Sequence, residues 1–540
     1  MTSAPPAGRL TLSWVGKDRA LLGTATGGYE WVERDDPRVV EVRLLHERDV
    51  VGDAAPRSDG AGNLLVVGDA YDALHALARI PEYADNLLGK VKLVYIDPPF
   101  NTGQAFAQYD DALEHSVWLT MMRDRLLLIR ELLAPNGSVW VHLDDAEMAY
   151  CRVLMDEIFG RGNFLASVVW QRTSAKSLAK RTMGVMHETI LVYGASEIAD
   201  LKTVYLPMAD EYVAKRFTQN DERGPYDTGD LTATSHRPHL DSGQPWRGFN
   251  PSDLKRCWAP SPTPLIEAGI TGAQLARMTI REKLDALDEA GYIHWPKGGG
   301  FPRFKKYLHG VKGRAIGDLW TDINVVNSQA AERTGFSTQK PEALIRRVLE
   351  IATEPGDIVV DCFAGSGTTA AVAHKMGRRW ITVEKEQATI DTFIYPRLER
   401  IIAGQDGGGI TAAASWKKGG GFRVLEVRPS MYEVRDQRAF LAEWATNGAF
   451  AAGVAAQLGF HLTHEAPFSG RKGRTRLAVI DGVIDTEVVR AITSRLNNDE
   501  RTVLVGKGAT PDAAALLKSL NPGSRLRKAP RDLLRRGVVR

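Results

Sequence analysis

Short apolar runs alternate with amphipathic stretches in two parts of the chain, and the periodicity fades between them. L-L-V-V-G-D (64–69) reads as a strand ending in Asp69, and Y-D-A-L-H-A-L-A-R-I after it carries apolar residues at helical spacing. V-K-L-V-Y-I (91–96), charged only at Lys92, is rich in β-branched residues, as expected of a buried strand. A helix is expected through W-L-T-M-M-R-D-R-L-L-L-I-R-E-L-L and a turn at Pro135-Asn136-Gly137. Further strands are expected at 138–143, 168–170 and 189–193. Over 200–335 Gly, Pro, Trp and Arg become frequent and no period dominates. Alternation returns with the helix pattern K-P-E-A-L-I-R-R-V-L-E-I-A, the strand 357–363, a glycine turn, a helix and R-R-W-I-T-V-E-K-E.

Strands alternating with helices on both sides of an irregular insert predict an α/β fold with one parallel-type sheet, covered on both faces. The expected divisions are an N-terminal arm (1–50), two halves of one domain (51–199 and 336–405) around an inserted module (200–335), and a C-terminal α/β domain (410–540). The glycines of G-Q-D-G-G-G and K-K-G-G-G-F suggest the last boundary.

Composition narrows the class without deciding it. The net charge of +3 over 540 residues leaves any basic surface local. Candidates are the cation–aromatic stretches of the insert and the tail with Arg525, Arg527, Lys528, Arg531, Arg535, Arg536 and Arg540, read either as a nucleic-acid contact or as a solvated face. Cys151, Cys257 and Cys362 are too far apart for a metal motif and odd in number, so a reducing, cytoplasmic compartment is expected. The opening M-T-S-A-P-P-A-G-R-L lacks the apolar core of a signal peptide, and no run of about eighteen apolar residues suggests a membrane span. His236 and His239 have no matching ligand pair, so no metal is expected.

Two turns carry the chemistry. In Asp361-Cys362-Phe363-Ala364-Gly365-Ser366-Gly367-Thr368-Thr369-Ala370, Gly365, Gly367 and Ala370 fit a G-x-G-x-x-G/A turn between strand and helix. Glu384 ends the next strand, where it can hold a ribose hydroxyl. Nicotinamide dinucleotides and S-adenosylmethionine both present such a ribose. Asp97-Pro98-Pro99-Phe100 follows a buried strand. Its prolines fix φ and remove two backbone donors, leaving a rigid turn with a carboxylate, carbonyls and an aromatic ring. That set suits an exocyclic amine on a flat heterocycle: Asp97 and the Pro98 carbonyl accept its hydrogens and Phe100 stacks on the ring. A nicotinamide-dependent oxidoreductase would leave this second turn unexplained.

Together V-Y-I-D-P-P-F-N-T-G and F-A-G-S-G-T-T resemble the amino-methyltransferases of DNA, in the chain order of the β group. L-L-V-V-G-D and T-Q-K-P-E (338–342) resemble two further family segments, and D-E-R-G-P-Y-D-T-G-D-L-T (221–232), G-Y-I-H-W-P-K, P-R-F-K-K-Y-L and G-D-L-W-T-D-I resemble the central module of type III modification subunits. The resemblance implies a Rossmann-like S-adenosylmethionine-dependent fold and methylation of adenine N6 in double-stranded DNA, with N4-cytosine or RNA as alternatives. Asp97 favours adenine, since the cytosine-modifying relatives typically carry Ser there; Phe100 replaces the commoner Tyr. The implied cofactor residues are Asp69, Lys340, Pro341, Asp361, Phe363, Ala364, Gly365, Ser366, Gly367, Thr368, Thr369 and Glu384. A flipped base also needs phosphate contacts, for which Arg247, Lys255, Arg256, Arg303, Lys305 and Lys306 are candidates. A homodimer, an ATP-dependent restriction or helicase subunit docking on 410–540, and a nucleoid-associated location are implied as well.

Overall fold

The computed structural model describes residues 10–24, 28–54, 62–101, 114–173, 183–267, 269–436, 438–463 and 465–534. Two compact units emerge: the residues up to Lys202 together with those from Gly317 onward, and Thr203–Ile316.

A ten-stranded sheet organises the first unit. Its strands in chain order are β1 (Leu45–Gly52), β2 (Asn63–Val67), β3 (Val91–Ile96), β4 (Leu133–Leu143), β5 (Phe164–Gln171), β6 (His187–Gly194), β7 (Leu319–Trp320), β8 (Ile358–Asp361), β9 (Arg379–Glu384) and β10 (Gly421–Val427). Side by side they run β7-β5-β6-β4-β3-β8-β9-β2-β10-β1. Helices α1 (Ala70–Arg79), α2 (His115–Leu132), α3 (Met148–Phe159), α4 (Glu342–Ala352), α5 (Thr368–Lys375) and α6 (Tyr395–Ala403) cover it. Alternate strand residues, among them Leu64, Val66, Val94, Ile96, Val139, Val141 and Val383, pack into one core with α1, α2 and α3. Their neighbours Leu65, Leu93, Tyr95, Trp140 and Trp380 are buried as well, so the central strands have no wet face. This is why V-K-L-V-Y-I lacks the alternation of a half-exposed strand.

Strand order creates the site. From β3 the chain moves to β4 on one side; from β8 it moves to β9 on the other. β3 and β8 are parallel neighbours, with Val360 opposite Val94. Their carboxyl ends therefore flank the crevice where helices of an open α/β sheet diverge to opposite sides.

Three expectations need correction. The sheet is mixed: β6 is antiparallel to both β4 and β5, and β1 is antiparallel to β10. The expected arm supplies β1, and β10 lies beyond the expected boundary near 405–410, pairing in parallel with β2. The glycines there serve close packing: a Cβ on Gly409 would collide with the Glu342 carboxylate, and one on Gly421 with the Val51 carbonyl. The compact insert is Thr203–Ile316, narrower than 200–335, because Leu319–Trp320 rejoins the large sheet beside β5.

The insert has a four-stranded antiparallel sheet and a core of Trp246, Trp258, Leu265, Leu284, Leu287 and Ile293. The chain after β10 ends in a five-stranded sheet whose strands Thr475–Ile484, Arg501–Ala509 and Arg525–Lys528 are parallel. Arg525, Arg527 and Lys528 lie on its edge strand, where cations discourage edge-to-edge pairing. Arg531 opens the short helix Arg531–Leu534; Arg535, Arg536 and Arg540 lie outside the described residues.

Candidate active site

Asp97 leaves β3 at the crevice, and neighbouring elements fix the turn that follows. Trp118 on α2 donates its indole N–H to the Pro99 carbonyl at 2.7 Å. Asn101, at φ 60°, donates its amide to Glu147 Oε1 at 2.7 Å, and His115 Nδ1 lies 2.9 Å from the same oxygen. The two oxygens of Asp97 differ. Oδ2 is 2.7 Å from Lys340 Nζ, while Oδ1 is buried and has no hydrogen-bond partner among the described residues. An orphaned buried acceptor costs about 1–3 kcal/mol, which a donor entering the crevice would relieve.

Lys340 Nζ also stands 4.9 Å from the centre of the Phe100 ring and 3.7 Å from Glu188 Oε2. Glu188, on β6, is buried. Its Oε1 accepts from Arg172 Nη1 at 2.6 Å, and its Oε2 lies 2.8 Å from His142 Nε2. Burial acts to raise its pKa; Lys340, His142 and Arg172 outweigh burial and hold the carboxyl far below its ordinary range. His142 Nδ1 is 2.7 Å from the Tyr95 hydroxyl, whose pKa complete burial pushes well above the usual value. A Tyr95 hydroxyl donating to Nδ1 puts the ring proton on Nε2, toward Glu188.

The glycine turn occupies the neighbouring strand end. Asp361 Oδ1 accepts the Phe363 N–H at 3.0 Å. Burial raises the Asp361 carboxyl to about 7, with hydrogen bonds from Thr369 and Phe363 opposing and the charges of Asp97 and Glu384 adding to the rise. Gly365 and Gly367 have φ of 51° and 73°, a region that favours glycine. A Cβ on Gly367 would also press on Ile394 at 3.1 Å. Glu384 ends β9 and accepts the amides of Gly365 (3.0 Å), Lys385 (2.9 Å) and Glu386 (3.0 Å). Burial raises its pKa and these amides oppose the rise. The carboxylate is thus locked to the turn it serves.

Beneath the turn lies a buried ionic hub. Glu342, the first residue of α4 after Pro341, meets Lys375 Nζ at 2.9 and 2.8 Å and Arg397 Nη2 at 2.8 Å. Arg397 Nη1 donates to the Ser366 carbonyl (3.1 Å) and to Thr368 Oγ1 (3.0 Å), and Thr368 Oγ1 donates to the Lys340 carbonyl at 3.2 Å. Helices α4, α5 and α6 are thereby tied to Ser366 and Thr368, and Ala364 is buried within the same turn. Asp69 caps α1 through the Tyr71 N–H at 2.7 Å, and both its oxygens lie 2.8 Å from Arg125 Nη2. The Arg125 guanidinium sits 5.9 Å from the centre of the Phe363 ring. Asp69 therefore meets the glycine turn through Arg125.

The candidate phosphate-binding cations of the insert divide into two groups. Arg256 bonds Asp230 and Thr232, Arg303 pairs with Asp230, Lys305 with Asp221, and Arg247 with Asp288. Lys255 and Lys306 are exposed and form no ion pair among the described residues. The aromatics interleaved with these cations, Trp246, Trp258 and Tyr307, are buried. No cluster of metal-binding side chains occurs among the described residues, and no described helix is long and apolar enough to cross a membrane.

Sequence reading brings out Asp97 and the glycine turn but not Glu188, His142, Trp118, Arg125, Glu342, Lys375 or Arg397. A signal was present at one of them: His142 interrupts the otherwise apolar end of S-V-W-V-H-L.

A doubly wound sheet with a glycine turn and an acidic partner on one strand pair, and an Asp-Pro-Pro-Phe turn beside it, is the Rossmann-like fold of S-adenosylmethionine-dependent methyltransferases. The chain belongs to the DNA methylase family, which it matches over residues 91–394. It is 31% identical over 71% of its length to a probable type III restriction-modification enzyme HindVI Mod subunit of Haemophilus influenzae, covering 56% of that protein. It is 31% identical to the type II methyltransferase M.EcaI of Enterobacter cloacae, over 55% of this chain and 62% of that one. To the type III StyLTI Mod subunit of Salmonella typhimurium it is 29% identical, over 60% of this chain and 51% of that one. The alignments thus span between half and two thirds of these relatives.

Proposed function

We propose that the protein methylates N6 of an adenine flipped out of double-stranded DNA, as the modification component of a restriction-modification or phage-defence system. The observation that carries this reading is Asp97 Oδ1, a buried acceptor without a hydrogen-bond partner among the described residues, in a proline-fixed turn beside the glycine turn. S-adenosylmethionine, when bound, supplies a methyl group on a sulfonium, already a good leaving group. The residues then need to position rather than to activate strongly. Asp97 Oδ1 and the Pro98 carbonyl accept the two amine hydrogens, which localises the nitrogen lone pair and aims it at the methyl carbon. On methyl transfer, with the sulfonium leaving as a neutral thioether, Asp97 Oδ1 would take the proton the nitrogen sheds. Phe100 stacks on the base.

The donor set fits the cofactor. Glu384, fixed by three amides, would hold the ribose, and Phe363–Thr369, with two left-handed glycines and the first residues of α5, would receive the methionine end. Asp69, Pro341 and Asp361 shape this half. Of the candidate cations in the insert, exposed Lys255 and Lys306, which form no ion pair among the described residues, are the ones for phosphate, while half-exposed Arg247 also pairs with Asp288. The Mod subunits among the relatives support the proposal of a separate restriction subunit; the homodimer that the sequence resemblance implies is tested by light scattering.

The experiment is transfer of labelled methyl from S-adenosylmethionine into duplex DNA, followed by nucleoside mass analysis. N6-methyladenine supports the proposal; N4-methylcytosine, label only in RNA, or no transfer overturns it.

A further inference from the structure

We propose that Lys340 serves the catalytic turn rather than the cofactor, and that Glu188 is the residue that positions it. The inference rests on the methyltransferase reading of Asp97. The Lys340 ammonium is 2.7 Å from Asp97 Oδ2 and close above the Phe100 ring. It fills one carboxylate oxygen and leaves the buried Oδ1 as the acceptor for an incoming amine. An ammonium and an exocyclic amine are both N–H donors, so a lysine free to swing across the carboxylate would compete with the base for Oδ1.

Glu188 prevents that swing. Its Oε2 draws the ammonium from 3.7 Å, a second carboxylate beside Asp97 Oδ2, and no hydrogen bond of good geometry reaches this oxygen among the described residues. Glu188 is itself fastened by Arg172 at 2.6 Å and faced by His142 at 2.8 Å, and His142 is held by Tyr95 on β3, the strand that ends at Asp97. At the other end, the Lys340 carbonyl accepts the Thr368 hydroxyl at the start of α5. One residue therefore has its backbone on the cofactor turn and its charge on the catalytic turn. A cation on the Phe100 face also favours one ring orientation.

The test combines calorimetric cofactor affinity with single-turnover methyl transfer at saturating cofactor, using Lys340→Met, Lys340→Arg, Glu188→Gln, Glu188→Asp and the Lys340→Met/Glu188→Gln double variant. Lys340→Met is expected to leave cofactor affinity within about threefold and to lower the transfer rate at least about tenfold. Lys340→Arg should recover part of that loss. Glu188→Gln should also lower the rate, and the double variant should be no slower than Lys340→Met, because one residue acts through the other. Glu188→Asp keeps the charge on a shorter arm and should lower the rate less than Lys340→Met does, a readout that remains if the Gln variant does not fold. Tenfold weaker cofactor binding with an unchanged rate in Lys340→Met overturns the proposal, as do multiplicative losses in the double variant. Asp97→Ala, measured alongside, separates the two readings: if it stays active, the catalytic turn itself is misassigned.

Discussion

The buried hub under the glycine turn gives the sharpest stability prediction. Glu342 is fully buried and is the only carboxylate recorded against Arg397 among the described residues. Lys375 has a second counter-charge in Asp406 at 2.7 Å, so Glu342→Gln strands chiefly the Arg397 guanidinium. Breaking a buried pair by removing one partner costs about 3–5 kcal/mol, most of it the uncompensated charge. With about 2 cal/mol/K of unfolding entropy per residue, a unit this large should lose roughly 3–6 °C in Tm. Urea denaturation followed by tryptophan fluorescence and circular dichroism measures the loss directly. Arg397 also holds Ser366 and Thr368, so cofactor affinity should fall in parallel. Replacing the group together, as Glu342→Leu with Lys375→Met and Arg397→Met, should cost less than the single change. A Glu342→Gln protein that unfolds within about 1 kcal/mol of wild type, with unchanged cofactor affinity, would refute the claim that this network holds the turn.

Three further outcomes are expected. Glu384→Ala should weaken cofactor binding by about 1.5–3 kcal/mol, the range for a hydrogen bond to a charged group, read by calorimetry on folded protein. Asp361 is raised by burial to about 7 when folded, so its proton is kept in the native state over a range where the unfolded chain has released it. The stability this contributes is complete below pH 3.8 and is lost as pH rises through about 7; Asp361→Asn should lack that component, its urea midpoint gaining on wild type from pH 4 to 7 and holding level above. Lys306→Ala should weaken DNA binding equally for all sequences and reduce the slope of log affinity against log salt by about 1, measured by fluorescence anisotropy.

What was legible in the sequence was what short stretches dictate. Val91–Ile96 is strand because its apolar residues admit no wet face, Asp97 is presented because Pro98 and Pro99 fix the backbone, and the cofactor turn announces itself through Gly365 and Gly367. Partnerships between distant residues were not legible. Nothing local to Lys340 indicates that its ammonium meets Asp97 and Glu188, and nothing near Glu342 indicates Lys375 or Arg397. The insert misleads for the same reason: cations beside aromatics suggested an open binding face, yet Arg256, Arg303 and Lys305 are occupied by Asp230 and Asp221 while the tryptophans form the core. Glycines 407–409 and 419–421 suggested a domain boundary, although Gly409 and Gly421 mark close approaches inside the first unit.

The central claim is that an exocyclic amine is methylated through Asp97. The most direct measurement is single-turnover methyl transfer into duplex DNA by wild type and Asp97→Ala at saturating cofactor, with 2-aminopurine at the target position reporting base flipping. The account predicts a loss of at least about a hundredfold in rate, with cofactor and DNA affinities largely kept and the base still extruded. Near-full transfer by Asp97→Ala would contradict it.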